Sequence, residues 1–344
     1  MKLDIINPLL DPDWDRGVLE HPEFSFFHSS AWARVLVRSY QHQPVYLRCG
    51  PKNRPAALLP MMEVQSTVTG RRGVSLPFTD SCEPLLFSEH SWEPLFKGLS
   101  EMARERRWKR FELRGAGRLE RLTGSANNFV GHTLGLSDSP EALFSRFTSA
   151  NRRAIRKAEK RQLRIEASQS RNSLQCYYQL HLLTRKRHGL PPQPWSFFEN
   201  IHEEVISSGL GFVVMAHHRT TPVAGAVFFH FGRSAVYKFG ASDANYQELR
   251  GNNLVMWEAI RLLNRGGFQR LHFGRTSLAN EGLRNFKLGW GAQESPLPHL
   301  SFQPATGQWK ACADRSRGLH NLFFGKLPSK LNSLAGALIY PHLD

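Results

Sequence analysis

Apolar positions along the chain follow two periods, and they sort it into helices and strands. From Phe27 to Tyr40 the spacing is helical, with Trp32, Leu36 and Tyr40 one turn apart and Ser29 or Ser30 placed to cap. Strand-like runs follow at Val45 to Cys49 and Ala57 to Val64. Between them Gly50-Pro51-Lys52-Asn53-Arg54 has the composition of a hairpin turn. An amphipathic stretch, Ser91 to Arg107, then feeds strands at Arg110 to Leu113 and Phe129 to Leu136, which completes a first α/β unit. Ser139 before Pro140 opens the second. There Asn151 to Gln162 sets Ala154, Ile155 and Ala158 on one helical face and Arg152, Arg156 and Lys160 on another. Strand Leu163 to Ala167 precedes two helices, Ser173 to His188 and Pro194 to Ser208, which are split by the breaker Gly189-Leu190-Pro191-Pro192.

Three further strands, Phe212 to Ala216, Pro222 to Phe231 and Ala235 to Gly240, read as an antiparallel meander. A buried helix Asn252 to Asn264 then leads through Gly266-Gly267 to a strand at Leu271 to Phe273. Gly274 and Arg275 are expected to break that strand at a crevice, where arginine suits an anionic ligand, with Thr276 and Ser277 capping the next helix. Phe286, Leu288 and Trp290 are spaced to anchor this helix while Lys287 points elsewhere. The pattern predicts an α/β fold with mixed sheets, divided into domains at 1–137 and 138–303 and a tail, 304–344, that packs back on the first domain.

Charge changes the picture most. The net charge is +16 and 33 of the 45 cations are arginine, whose planar guanidinium grips phosphate oxygens in pairs. Residues 146–187 alone carry twelve Lys and Arg against Glu159 and Glu166. An anionic, phosphate-bearing partner is therefore expected: tRNA, a nucleotide-linked precursor or coenzyme A. No run reaches the ~20 apolar residues of a bilayer span. Asp4, Pro8, Asp11, Pro12 and Asp13 interrupt any signal-peptide core, so a cytoplasmic monomer is expected. Cys49, Cys82, Cys176 and Cys312 lack paired spacing, and His217-His218 has no third ligand at useful distance, so reduced thiols and no metal are expected. No paired carboxylates stand beside the arginine and lysine landmarks. Asp80 and Glu83 are the candidates for a base, Asp80 reading first as a turn residue. The apolar tail Leu319 to Leu338 is expected to pack on the protein, with peripheral contact at the inner membrane as the alternative.

Three antiparallel strands followed by strand–helix–strand are similar to the second half of the GNAT acyltransferase fold. Four segments go further: Arg152-Arg153-Ala154-Ile155-Arg156-Lys157-Ala158-Glu159-Lys160, Asn252-Asn253-Leu254-Val255-Met256-Trp257-Glu258-Ala259-Ile260, Phe273-Gly274-Arg275-Thr276 and Phe286-Lys287-Leu288-Gly289-Trp290-Gly291-Ala292. Together they resemble the Fem-type (FemAB-like) aminoacyltransferase branch of that superfamily, and within it the Fem-related proteins of bacterial exopolysaccharide and surface-protein systems. The likeness is dense over 140–300 and looser over 28–115, where Ser29-Ser30-Ala31-Trp32 and Leu76-Pro77-Phe78 resemble family landmarks.

The resemblance implies two tandem GNAT-like domains and an enzyme that moves an acyl or aminoacyl group onto an amine of a cell-envelope or polysaccharide precursor. The better-known members act on a peptidoglycan precursor. Aminoacyl-tRNA or acyl-CoA would be the co-substrate, with no tightly bound cofactor. Carried onto this chain, it implies Lys287 as the catalytic cation at the reacting carbonyl and Tyr237 as an acceptor contact. Arg152, Arg153 and Arg156 would grip phosphate, and Asn253 and Arg275 would help bind substrate. Two departures stand out. Gln193-Pro194-Trp195-Ser196-Phe197 replaces the arginine and tyrosine typical of peptidoglycan-acting members, and Gln247-Glu248-Leu249-Arg250-Gly251-Asn252-Asn253 holds one glycine where acyl-CoA enzymes carry Gln/Arg-x-x-Gly-x-Gly/Ala. An acyl-CoA-dependent N-acyltransferase for another small molecule stays open, as does a non-catalytic basic module for RNA or anionic membrane.

Overall fold

A computed structural model of the chain describes residues 3–115, 129–312 and 319–343. The chain sorts into two compact units. One comprises Met1–Val130, Pro296–Asp314 and Ile339–Asp344; the other comprises Gly131–Ser295 and Arg315–Leu338. Both mix helices with sheets, as the periodicities predict.

The first unit holds a four-stranded sheet and a six-stranded one. Ala57–Leu59 and Met62–Ser66, expected as one strand, are separated at Pro60 and enter different sheets, the first beside Tyr46–Cys49 and the second beside Gly70–Val74. Gly70–Val74 runs parallel to Phe111–Arg114 with helix Trp92–Glu105 between them in sequence. Leu95, Leu99, Trp108, Phe111 and Phe302 form the core on which that helix rests.

The second unit is built on a seven-stranded sheet. In spatial order its strands are Arg164–Ser168, Gly211–His218, Thr221–Phe231, Ser234–Ser242, Arg270–Ser277, Phe129–Gly135 and Gln293–Pro296. The first four pair antiparallel, as the alternating apolar runs predict, and Ser234–Ser242 then pairs parallel with Arg270–Ser277. Helix Gly251–Arg265 makes the crossover that a parallel pair requires. It is buried along Leu254, Val255, Ala259, Ile260 and Leu263.

Two strands join sheets other than those expected. Phe129–Gly135 lies in the second unit's sheet rather than closing the first, and His299–Gln303 pairs with Phe111–Arg114 in the first. Strand runs reveal a pairing face but not which distant edge is open to receive it. The tail divides as well. Gln308–Ala311 pairs in the first unit's sheet and the Arg72 guanidinium donates to the His342 carbonyl there, whereas helices Leu319–Lys326 and Ser329–Ile339 lie against the breaker of the second unit. The Asn321 and Asn332 side chains donate to the carbonyls of His188 and Leu190 there.

Aromatic packing closes the second core. Phe147 meets Phe144, Trp257 and Trp290 at ring separations of 5.8, 5.4 and 5.0 Å. Phe147→Ala should cost about 3–5 kcal/mol of stability in urea titration. A second test uses His181, buried among Tyr178, Phe198 and Phe239, where loss of hydration holds its pKa down at about 3. The unfolded chain takes up this proton below about pH 6.5 while the folded one does not, so stability falls as pH drops through that window. From this group alone, stability should be roughly 2 kcal/mol lower at pH 5 than at pH 7.5. His181→Gln should flatten the pH dependence.

Candidate functional site

The site begins where the parallel pair stops. Ser234, Ala235 and Val236 face Arg270, Leu271 and His272, and among the described residues the two strands do not pair with each other beyond them. Both strands nevertheless continue, to Ser242 and Ser277. On the other edge Val227 faces Phe239 but Phe228 faces Tyr237, so Lys238 is an extra residue that bends the strand away. A cleft opens between the two strand ends.

A cavity of about 260 Å³ lies along the Ser234–Ser242 strand, lined by Tyr237, Gly240, Ser242, Asn252, Met256 and Phe286 with Thr184, Arg187 and His188 among others. Tyr237 packs near Phe228 and Phe273, and burial pushes its phenol up to about 12, so it is a protonated donor at neutral pH. Gly240 makes room for it, because a Cβ there would overlap the Tyr237 hydroxyl.

A second cavity, of about 130 Å³, shares Ser242 and Asn252 with the first and lies at the start of helix Gly251–Arg265. The first amides of a helix have no partner within it, and they carry its positive dipole end. No acidic residue in the first turn offsets that charge. Arg250 precedes the helix at φ 60°, a left-handed backbone that glycine adopts more readily. The loop thus keeps a tight turn while presenting an arginine side chain where a bare backbone would suit close approach of pyrophosphate. Asn253 lines this cavity and donates to the Asn151 side chain at 3.2 Å, tying the crossover helix to the basic one.

Lys287 and Leu288 exchange the burial expected of them. Lys287 is 2% exposed, whereas Leu288, expected as an anchor, faces solvent. The lysine ammonium donates to the carbonyls of Gly274 at 2.8 Å and Arg275 at 3.1 Å, so the helix Glu281–Leu288 is clasped to the strand end. Arg275 contributes its carbonyl to that clasp, and its side chain is exposed. The strand does not break at Gly274; it passes through at φ 75° and runs to Ser277. The helix is capped by Asn280, whose side chain accepts from the Leu283 amide, and not by Thr276 or Ser277. Thr276 is instead buried, its hydroxyl without a partner among the described residues.

Three ionisable residues near Lys287 were not singled out by the sequence pattern. His132 lies 3.0 Å from Glu294, and Arg284 holds Glu294 with two bonds of 2.6 Å. The Arg284 guanidinium keeps the Glu294 carboxyl below its ordinary range. Burial, and then the Lys287 charge, lower the pKa of His132. No spacing signal links His132 to Glu294, since sheet order alone brings their strands together.

The basic helix Ser149–Lys160 buries Asn151, Ile155 and Ala158 and turns its cations outward. Arg153 and Arg156 line an open groove of about 590 Å³ with Lys157, Lys160 and Arg161. Arg152 is turned from this group to donate to the Ser145 carbonyl at 2.6 Å. Asp80 and Glu83, the candidate bases, belong to the first unit, where their carbonyls accept from His299 and His28.

Residues 145–294 match the family described as the acetyltransferase (GNAT) domain. No curated protein matches the chain in sequence. Among solved structures, FemX is similar at a TM-score of 0.70 with 14% identity, covering 86% of this chain and 95% of its own. The C-terminal domain of a putative lysylphosphatidylglycerol synthetase from Agrobacterium fabrum is similar at 0.56 with 13% identity, covering 95% and 96%. A tandem GNAT protein from the clavulanic acid biosynthesis pathway is similar at 0.56 with 9% identity, covering 88% and 99%. The fold is a tandem GNAT-like architecture, similar to that of these structures.

Gly240→Ala should displace the Tyr237 hydroxyl and narrow the cleft while leaving the sheet intact. A near-ultraviolet spectrum that changes in the tyrosine band without a lowered Tm is the expected readout.

Proposed function

We propose that this protein is an acyltransferase that moves an aminoacyl or acyl group onto an amine of a cell-envelope or polysaccharide precursor. The observation that carries this reading is the cleft between strands Ser234–Ser242 and Arg270–Ser277. A protonated Tyr237 lines a cavity along the first of these strands, and Lys287 is clasped to the end of the second. In the proposed reaction a neutral amine attacks the carbonyl carbon of an ester or thioester. A C–N bond forms, the bond to the donor's oxygen or sulfur breaks, and the amine's proton passes to the leaving group or to water. Negative charge grows on the carbonyl oxygen during attack. A preorganised cation or donor at that point lowers the barrier because it needs no reorganisation as the charge develops. Lys287, held still by two backbone carbonyls, suits this role, and the Tyr237 phenol suits contact with the acceptor.

Aminoacyl-tRNA is the donor that best accords with the groove of Arg153, Arg156, Lys157, Lys160 and Arg161, an open face of five cations suited to a phosphodiester backbone. The names FemX and lysylphosphatidylglycerol synthetase among the structural neighbours support an aminoacyl group and an envelope acceptor. A second reading, with acyl-CoA as donor, draws on the cavity at the start of helix Gly251–Arg265, since a helix N-terminus suits a pyrophosphate. Arg250 and Asn252 in place of glycines weigh against it.

The test supplies purified protein with either a charged tRNA pool or acyl-CoA, together with an envelope extract, and follows label into an amide. Transfer from tRNA is expected, with Lys287→Ala slowing it about 100-fold. The double variant Arg153→Glu/Lys160→Glu should raise the donor KM and leave Tm unchanged. Transfer from acyl-CoA alone would select the second reading, and no transfer from either donor would sink the enzyme.

A further inference from the structure

The helix Ser329–Ile339 is amphipathic the wrong way round for a helix that only packs on protein. Its inward residues are polar or small. Asn332 is buried and its side chain donates to the Leu190 carbonyl at 3.3 Å, while Gly336 sits directly against the Pro192 carbonyl. Its outward residues are leucines at i, i+3 and i+7: Leu331, Leu334 and Leu338 are 53%, 57% and 64% exposed. Phe323, on the helix before it, is 62% exposed. A run of large apolar side chains turned to water on adjacent helices is an interaction surface rather than scattered surface leucine.

Charge selects the partner. Between Arg315 and Leu343 the chain has no Asp or Glu, and it carries Arg315, Arg317, Lys326 and Lys330. Lys326 and Lys330 are exposed beside the leucines, and Lys186 joins them, its ammonium 3.5 Å from the Ser329 hydroxyl. A second copy of this chain would bring these cations against one another. Its interface would also need roughly 800 Å² from each partner, more than four side chains provide. An anionic bilayer fits both features, accepting the leucines among its acyl chains and the lysines among its phosphates. Among the described residues no helix is long and apolar enough to cross a membrane. The 11-residue helix, about 16 Å long at 1.5 Å per residue, would therefore lie in the plane of the interface.

We infer that Phe323, Leu331, Leu334 and Leu338, flanked by Lys186, Lys326 and Lys330, form a docking surface for an anionic lipid bilayer. This inference does not depend on the transfer reaction.

Co-sedimentation of the full chain with vesicles tests it. Vesicles of phosphatidylglycerol and phosphatidylcholine should bind the protein more tightly than phosphatidylcholine alone, and salt should weaken the difference. The double variant Leu334→Glu/Leu338→Glu should lose at least about tenfold in partitioning, since it removes two apolar side chains from the layer. Both positions face solvent, so its Tm should match that of the parent. Lys326→Ser/Lys330→Ser should weaken binding to the anionic vesicles only. Equal partitioning of parent and leucine variant would overturn the inference. So would absence of vesicle binding combined with a concentration-dependent dimer that the leucine variant dissolves, since that result assigns the stripe to a second copy.

Discussion

Two neighbouring strands that stop hydrogen bonding part-way along create an obligation as well as an opening. Beyond Val236 and His272 the main-chain groups that a continuous sheet would pair must find other partners, because a buried, unpaired carbonyl or amide costs about 1–3 kcal/mol. Lys287 meets part of that obligation. Its ammonium takes the carbonyls of Gly274 and Arg275, and those carbonyls in turn make burial of the lysine tolerable, since a buried charge without hydrogen bonds is strongly disfavoured. Cleft, lysine and helix Glu281–Leu288 therefore stand or fall together. The bulge at Lys238 bends one wall outward, and Gly240 leaves the space that the Tyr237 ring fills.

The wall of the cavity sets apolar side chains such as Val255, Met256 and Phe286 beside Thr184, Arg187 and His188, with Tyr237 kept protonated by burial. Beside Lys287 the negative charge of Glu294 is engaged by Arg284 and lies against a His132 that burial keeps neutral. Further cations line the groove of the basic helix. The tie from the Thr148 amide to the Gly289 carbonyl, at 3.0 Å, fastens the basic helix to the end of the lysine-bearing one.

Much of the architecture was legible in the chain because it rests on local rules. The meander of three strands follows from period-two runs bounded by turns, and the basic helix from the spacing of Ala154, Ile155 and Ala158 against Arg152, Arg156 and Lys160. Capping by Ser139 was legible for the same reason: its side chain accepts from an amide three residues on. The tyrosine in the cleft and the cationic groove were reached through resemblance and charge density. Where an outcome turned on a partner far along the chain, local reading failed. Lys287 was expected to point elsewhere than the anchoring Phe286, Leu288 and Trp290, yet it is the residue that is buried, its ammonium held by acceptors 12 and 13 residues upstream.

The sequence by itself determined the α/β character, the order of elements in the second unit, the concentration of cations in 146–187 and the placement of Tyr237 on a strand. These depend on periodicity, turn residues and composition, all of which act over a few residues. Tertiary structure alone decided which sheet received Phe129–Gly135, how early the parallel pair ended, and that His132 would meet Glu294. It also decided that Asn332 would turn inward to the Leu190 carbonyl and leave three leucines facing out. A buried polar group takes whichever partner the fold presents, and that geometry exists only once distant segments have come together.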